Sequence, residues 1–269
     1  ALDWDEQIHE PASPIALPSR IRGKIEFRQV SFSYEPGNPI LQDVSFIVPP
    51  GEKLAIVGPT GSGKSTLIRL LGRFYDFPDG MLFLDDVDIN HLHSRDVRSR
   101  VGVVLQDFHI FSGTILDNIR LGDPTITRDI AVAAAKTVNA HGFISAQRDG
   151  YDTLLQERGS NLSQGERQLL AFARVLAADP EVLVLDEATA SIDTETELLI
   201  QDGLEKLMTD RTAILIAHRL QTIQQADKVL VLQSGEVIEY GSQQELLELK
   251  GLYHTLHELQ FQDLKTVPG

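Results

Sequence analysis

The sequence predicts an α/β fold with a mainly parallel sheet, and three observations carry that expectation. The apolar run Leu54-Ala55-Ile56-Val57 leads into Gly58-Pro59-Thr60-Gly61-Ser62-Gly63-Lys64-Ser65-Thr66, after which Leu67, Leu70, Leu71 and Phe74 recur at helical spacing. That is a strand, a glycine-rich loop and a helix in succession. From residue 182 onward, short apolar runs at 182–185, 213–217 and 229–232 alternate with helical stretches at 194–207 and 220–225. Such alternation produces parallel strands covered by helices. Finally, residues 23–57 read as strands throughout and residues 107–180 as mainly helical, so the alternating core carries a strand-rich part and a helical part.

Taken in order, residues 1–21 hold Pro11, Pro14 and Pro18 with mixed charge and little periodicity, which predicts a linker or extended arm. Strands are expected at 24–34 and 40–48, separated by the turn Glu35-Pro36-Gly37-Asn38, and Pro49-Pro50-Gly51 turns the chain into the next strand. Residues 81–84 and 101–105 predict two more strands. The helical part contains an alanine-rich stretch at 130–138. The C-terminal region predicts two helices, 243–249 and 252–260, broken at Lys250-Gly251. No internal repeat or low-complexity tract is visible.

Composition narrows the function. With 42% hydrophobic and 23% charged residues, the 269-residue chain is ordinary for a water-soluble fold and long enough to bury a substantial core. A formal net charge of −15 argues against a nucleic-acid partner, whose phosphates call for a basic surface. The absence of cysteine excludes disulfides and thiolate metal sites. No apolar run approaches the length that crosses a bilayer and no signal peptide is visible, so any membrane partner is expected beside this chain.

The chemistry starts at residues 58–66, which fit the phosphate-binding pattern of glycine, four residues and Gly-Lys-Ser/Thr in its strand–loop–helix setting. Glycines let the backbone wrap phosphate oxygens, successive N–H groups form an anion nest, and the helix N-terminus adds its dipole. Lys64 reaches for the terminal phosphates of a nucleoside triphosphate, and the Ser65 hydroxyl is a natural magnesium ligand. A second apolar run, 182–185, ends in Asp186-Glu187. An Asp at such a strand end supports magnesium, and the adjacent Glu is placed to polarise an attacking water, worth about 10²–10⁴ in rate. The strands at 101–105 and 213–217 end in Gln106 and His218. Ligands of open α/β sheets lie beyond the carboxyl ends of the strands. Gln106 and His218 are therefore candidates for water or magnesium contact and for sensing the γ-phosphate. In Leu162-Ser163-Gln164-Gly165-Glu166, ahead of the helical run 167–178, Ser163 and Glu166 match a capping box. The same spacing exposes a helix N-terminus suited to an anion. The two roles are compatible.

These segments together resemble the nucleotide-binding domain of an ABC transporter over about residues 23–260. The motifs follow family order: the phosphate loop, Gln106 of the Q-loop, the signature 162–166, Asp186 and Glu187, the D-loop Ala190-Ser191-Ile192-Asp193, and His218 of the switch. Residues 111–119 and Glu157-Arg158-Gly159 are similar to exporter segments. The resemblance implies the ABC ATPase fold: a P-loop NTPase core with a mainly parallel sheet, an N-terminal antiparallel β subdomain and an inserted helical subdomain at about 107–180. It implies ATP and Mg²⁺ as ligands, with Ser65, Gln106 and Asp186 on the metal. It further implies a head-to-tail dimer in which Ser163, Gln164, Gly165 and Glu166 of one subunit approach the ATP held by Gly58, Pro59, Thr60, Gly61, Ser62, Gly63, Lys64, Ser65 and Thr66 of the other, with Asp193 as a further ATP-binding residue. Tyr34 is implied to stack on adenine, worth about 1–3 kcal/mol; packing as a half-buried strand aromatic is the other reading.

On the same resemblance, residues 1–21 would leave a preceding transmembrane domain, 22–262 would form the ATPase domain and 263–269 a tail. The domain would sit at the cytoplasmic face of a membrane, contacted by coupling helices. Two departures stand out: Gln164 and Glu166 occupy signature positions where the family usually has Gly and Gln, and Ala190-Ser191 replaces the commoner Ser-Ala. A variant signature beside an intact Glu187 would suit pairing with a different, homologous half. An importer ATPase subunit and a soluble ABC-type ATPase of DNA repair or translation are the competing readings. Acidic charge, the lack of a coiled-coil insertion and the exporter-like segments oppose the latter.

Overall fold

Ile25–Ser33 (β1) opens with three buried residues, and buried and exposed side chains alternate along the second half of Pro39–Val48 (β2); the two pair antiparallel with Ile25 opposite Val48 and Phe27 opposite Phe46. The two phenyl rings stack with centroids 4.4 Å apart, an aromatic cross-strand pair that helps hold the register. A shift between Phe27 and Val30, where Gln29 turns left-handed at φ 48°, is the mark of a β-bulge. Leu82–Leu84 (β4) pairs antiparallel with the other edge of β1, and Val87–Asp88 (β5) completes a sheet of order β2-β1-β4-β5.

In this computed structural model, residues 8–105, 109–156, 159–186, 193–217 and 220–266 are described. They divide into two compact units: those within 1–101, 181–186 and 211–269 in one, and those within 102–180 and 187–210 in the other. The second sheet of the first unit is built around Lys53–Val57 (β3), flanked in parallel by Thr212–Ile216 (β10) and Lys228–Gln233 (β11). Val182–Asp186 (β9) lies parallel beyond β10, and Glu236–Gly241 (β12) pairs antiparallel with β11. β3, β9 and β10 are buried almost end to end, which is why they read as continuous apolar runs rather than alternating ones. The helices of this unit are Lys64–Leu71 (α1), Ser94–Arg100 (α2), Leu220–Gln224 (α8), Gln243–Leu249 (α9) and Leu252–Thr266 (α10). Val101–Val104 (β6) carries the chain onward from α2.

The second unit holds Ile115–Arg120 (α3), Arg128–Thr137 (α4), His141–Ala146 (α5), Gln164–Ala178 (α6) and Thr194–Met208 (α7), with Gly113–Thr114 (β7) paired antiparallel to Leu154–Leu155 (β8). α6 is its centre. It packs on α3, α4 and α7, burying Leu169, Leu170, Phe172 and Ala173. Arg174 on the same helix donates to the carbonyl oxygens of Asn118 (2.9 Å) and His109 (3.0 Å), and burial lowers its guanidinium pKa to about 10.

Three expectations shift. The helix after the phosphate loop stops at Leu71, so Phe74 is not on its buried face but 48% exposed: Gly72 closes the helix and Arg73 turns left-handed. The helical region also contains the short β7–β8 pair. β12 is an element beyond those the sequence predicts, because only its two-residue turn, Ser234-Gly235, and its alternation mark it. Among the described residues no helix is long and apolar enough to cross a membrane.

Candidate functional site

β3 delivers residues 58–63 to the carboxyl edge of the parallel strands, and α1 begins at Lys64. Gly58 is required by close approach: its φ is 152°, and a Cβ there would overlap the carbonyl oxygen of Leu232 on β11. The loop is closed by its own backbone, Ser62 N–H donating to Pro59 O at 3.2 Å, and is tied to the turn between β11 and β12 by Gly235 N–H donating to Ser62 O at 3.1 Å. Among the described residues no acceptor takes the amides of Gly61, Gly63, Lys64 or Ser65. These are orphan donors at a helix start, the arrangement that receives an anion. The Ser62 hydroxyl is buried with no partner, while Ser65 is exposed. Pro59, Thr60 and Gly61 form the exposed rim.

The Lys64 ammonium arches over this cradle, donating to Gly58 O (2.8 Å) and Pro59 O (2.9 Å). Burial pushes its pKa down, and the nearby Asp186 carboxylate pulls the other way. Asp186 ends β9, its Cα paired with Ile216 of β10, which pairs in turn with Ile56 of β3. The structure therefore brings the loop, Lys64 and Asp186 to one sheet edge. Tyr34, directly after β1, belongs to the same place. Its hydroxyl lies 3.0 Å from Thr66 Oγ1 and accepts a bond from Arg69 Nη1 at 3.1 Å, and its ring meets Phe32 and Tyr75 edge-on at 5.1 and 5.0 Å. Arg69 and Tyr75 were not singled out from the sequence. Arg69 follows Thr66 by three residues on one helix, and that spacing was the available signal.

The second unit holds the other cluster. Ser163 Oγ accepts Glu166 N–H (3.2 Å) and the Glu166 carboxylate accepts Ser163 N–H (2.7 Å), so the predicted capping box is present at the start of α6. Gln164 and Gly165 complete that turn. A Cβ on Gly165 would run into the Thr196 methyl of α7, so glycine is needed for the two helix starts to meet. Asp193 caps α7 through Thr196 N–H (2.9 Å), and that backbone bond holds its carboxyl below the ordinary range. Ser163–Glu166 and Asp193 thus lie together. Gln106, Glu187, His218, Glu157-Arg158 and Ala190-Ser191-Ile192 fall outside the described residues.

Two sheets, a glycine-dependent cradle of unbonded amides and a lysine–aspartate pair at the carboxyl edge define a P-loop NTPase fold. Residues 41–190 match the family model described as ABC transporter. The chain is 48% identical over 261 residues to an uncharacterized ABC transporter ATP-binding protein of Bacillus subtilis, YfiC, covering 97% of this chain and 43% of that protein. It is 45% identical over 255 residues to a fatty acid ABC transporter ATP-binding/permease protein of Mycobacterium bovis, covering 95% of this chain and 40% of that one. A solved bacterial Atm1-family ABC exporter with ATP bound superposes with a TM-score of 0.86 at 41% identity, over 94% of this chain and 44% of the other. The chain belongs to the ABC transporter family and has its ATPase fold. It spans less than half the length of these relatives.

Proposed function

We propose that this chain is the ATP-binding and ATP-hydrolysing domain of an exporter, working as a head-to-tail pair with a second copy or a homologous half. The observation that carries the reading is the meeting of the amide cradle, Lys64 and Asp186 at one sheet edge. The cradle's unbonded amides and the ammonium suit a triphosphate, and an exposed hydroxyl at Ser65 with a carboxylate at Asp186 suits a hard divalent cation. ATP would lie along Gly58–Thr66 with its base on Tyr34. Ser65, Asp186 and Gln106 would hold Mg²⁺, which neutralises phosphate charge when bound. Glu187 would polarise the attacking water, and His218 would hold the γ-phosphate end of the site.

The capped start of α6 supports the paired arrangement. Ser163, Gln164, Gly165 and Glu166 would face the ATP of the opposing copy, with Asp193 beside them. Closure of the pair would move a membrane domain, reached through coupling helices and through residues 1–21 as a linker from that domain. Residues 22–262 would be the ATPase domain, placed at the cytoplasmic face of the membrane, and 263–269 its tail. The identity of the relatives as ATP-binding/permease proteins favours the exporter reading over a separate importer subunit or a soluble ATPase. The test is ATP turnover by the chain and by its Glu187→Gln variant. The variant is expected to bind ATP with little turnover and to accumulate as a dimer on size exclusion. Turnover at the parent rate removes Glu187 as the base.

A further inference from the structure

The phosphate-loop helix ends in an unusual way. The amides of Arg73 and Phe74 donate to Leu70 O (3.0 Å) and Arg69 O (2.9 Å), the paired bonds of a Schellman turn, with residue 73 left-handed at φ 50°. Glycine is the usual occupant of that position, because a Cβ is strained there. Here it is an arginine, and its side chain is only 1% exposed. Burying a guanidinium is costly unless its donors are used. Two of its three nitrogens are used: Nη1 donates to Leu92 O (2.8 Å) and Ile89 O (3.3 Å), and Nη2 to His9 O (3.0 Å), while Nε is buried with no partner among the described residues.

His9 lies in the proline-bearing arm, and Asp76 also binds this residue. The Asp76 carboxylate accepts His9 N–H at 3.1 Å, meets His9 Nδ1 at 2.6 Å and lies 3.7 Å from Arg73 Nη2. The arm continues along the same surface. The Glu10 carboxylate accepts Ser94 N–H (3.0 Å) at the first turn of α2, and Ile15 N–H donates to His91 O (2.8 Å). α2 is tied back in turn, since Arg98 donates to Gly72 O (3.1 Å) and Arg73 O (2.7 Å). The helix that opens at Lys64 is therefore fastened at its far end to residues 9 and 10.

We infer that Arg73 is a positioning residue through which docking of residues 8–10 and occupancy of the phosphate loop favour each other. The clamp fixes the end of α1 whose opposite end presents the phosphate-binding amides, and coupling between two such sites is reciprocal. An arm pulled free would loosen the loop's hold on phosphate. The inference rests on the reading of residues 58–66 as an ATP site.

Titration calorimetry with ATP in EDTA, on the whole chain, tests it. Three changes are compared with the parent: deletion of residues 1–10, Arg73→Gly, which suits the left-handed backbone, and both together. Each single change is expected to weaken ATP binding about fivefold or more, at the lower end of coupling between sites. The combination is expected to weaken it no further than either alone, because both remove one clamp. Asp76→Asn is the second variant should Arg73→Gly unfold, with the same non-additivity. As the chain has no cysteine, a spin label on Ala12→Cys reports docking directly. It is expected to be immobile in the parent and mobile with Arg73→Gly, an effect that a merely space-filling arginine would not produce. ATP affinity indifferent to the deletion, or effects that multiply, overturns the linkage alone; a parent that binds no ATP overturns the nucleotide reading with it.

Discussion

Lys64 makes its two hydrogen bonds to carbonyls of the loop it guards, and burial already disfavours its charge. A phosphate would supply the stronger, charge-assisted partner, worth about 1.5–3 kcal/mol. Lys64→Ala should therefore weaken ATP binding at least about tenfold with the fold intact; equal affinity in filter binding would remove Lys64 from the site. Glu166 poses a different question. Its carboxylate closes the capping box and complements the α6 dipole, yet the proposed pairing sets it near an opposing γ-phosphate, where like charges repel. Glu166→Gln keeps an acceptor for Ser163 and drops the charge. Thermal stability should change little, while ATP-driven dimerisation should become easier at low salt, where screening is weak. The check is the dimer fraction against ATP concentration in a Glu187→Gln background; coincident curves would confine Glu166 to capping. The capping box was legible in the sequence because its partners are three residues apart. The Arg73 clamp was not, because its partners lie at residues 9, 89 and 92 and only folding gathers them.

Among the elements, α6 and α7 meet through Gly165 against Thr196. Gly165→Ala should cost about 1–3 kcal/mol as an overpacked contact, and Thr196→Ala, which removes the methyl it strikes, should restore most of it in a urea-melt double-mutant cycle. The caps make a pH prediction. Asp193 on α7 and Asp117 on α3 are both held below the ordinary carboxyl value of 3.8 by backbone N–H bonds, from Thr196 and Thr114. A depressed folded pKa adds stability that is fully present above the unfolded value and is lost as pH falls through the lower, folded one. Asp193→Asn should flatten the melting-temperature decline below about pH 4; a parent-like slope would show that the cap is not linked to protonation. The buried strands β3, β9 and β10 were readable because burial on both faces leaves unbroken apolar runs. The end of α1 is hidden in the sequence because Phe74 keeps the helical spacing, although Gly72 and the left-handed Arg73 have already turned the backbone away.

For the whole molecule, the structure gathers the predicted residues into two sets. Tyr34, the loop, Lys64 and Asp186 lie in one unit, and Ser163–Glu166 with Asp193 in the other. A head-to-tail pair would join the first set of one copy to the second set of its partner, and that is the central claim of the account. It is tested most directly by the rate of ATP hydrolysis measured against chain concentration across the micromolar range, with the association state followed by sedimentation. If each working site needs Ser163 and Gly165 from another copy, a mostly monomeric sample obeys mass action and its rate rises with roughly the square of concentration. A rate strictly proportional to concentration, in a sample shown to stay monomeric, would mean that one chain completes the site alone, and would contradict the account.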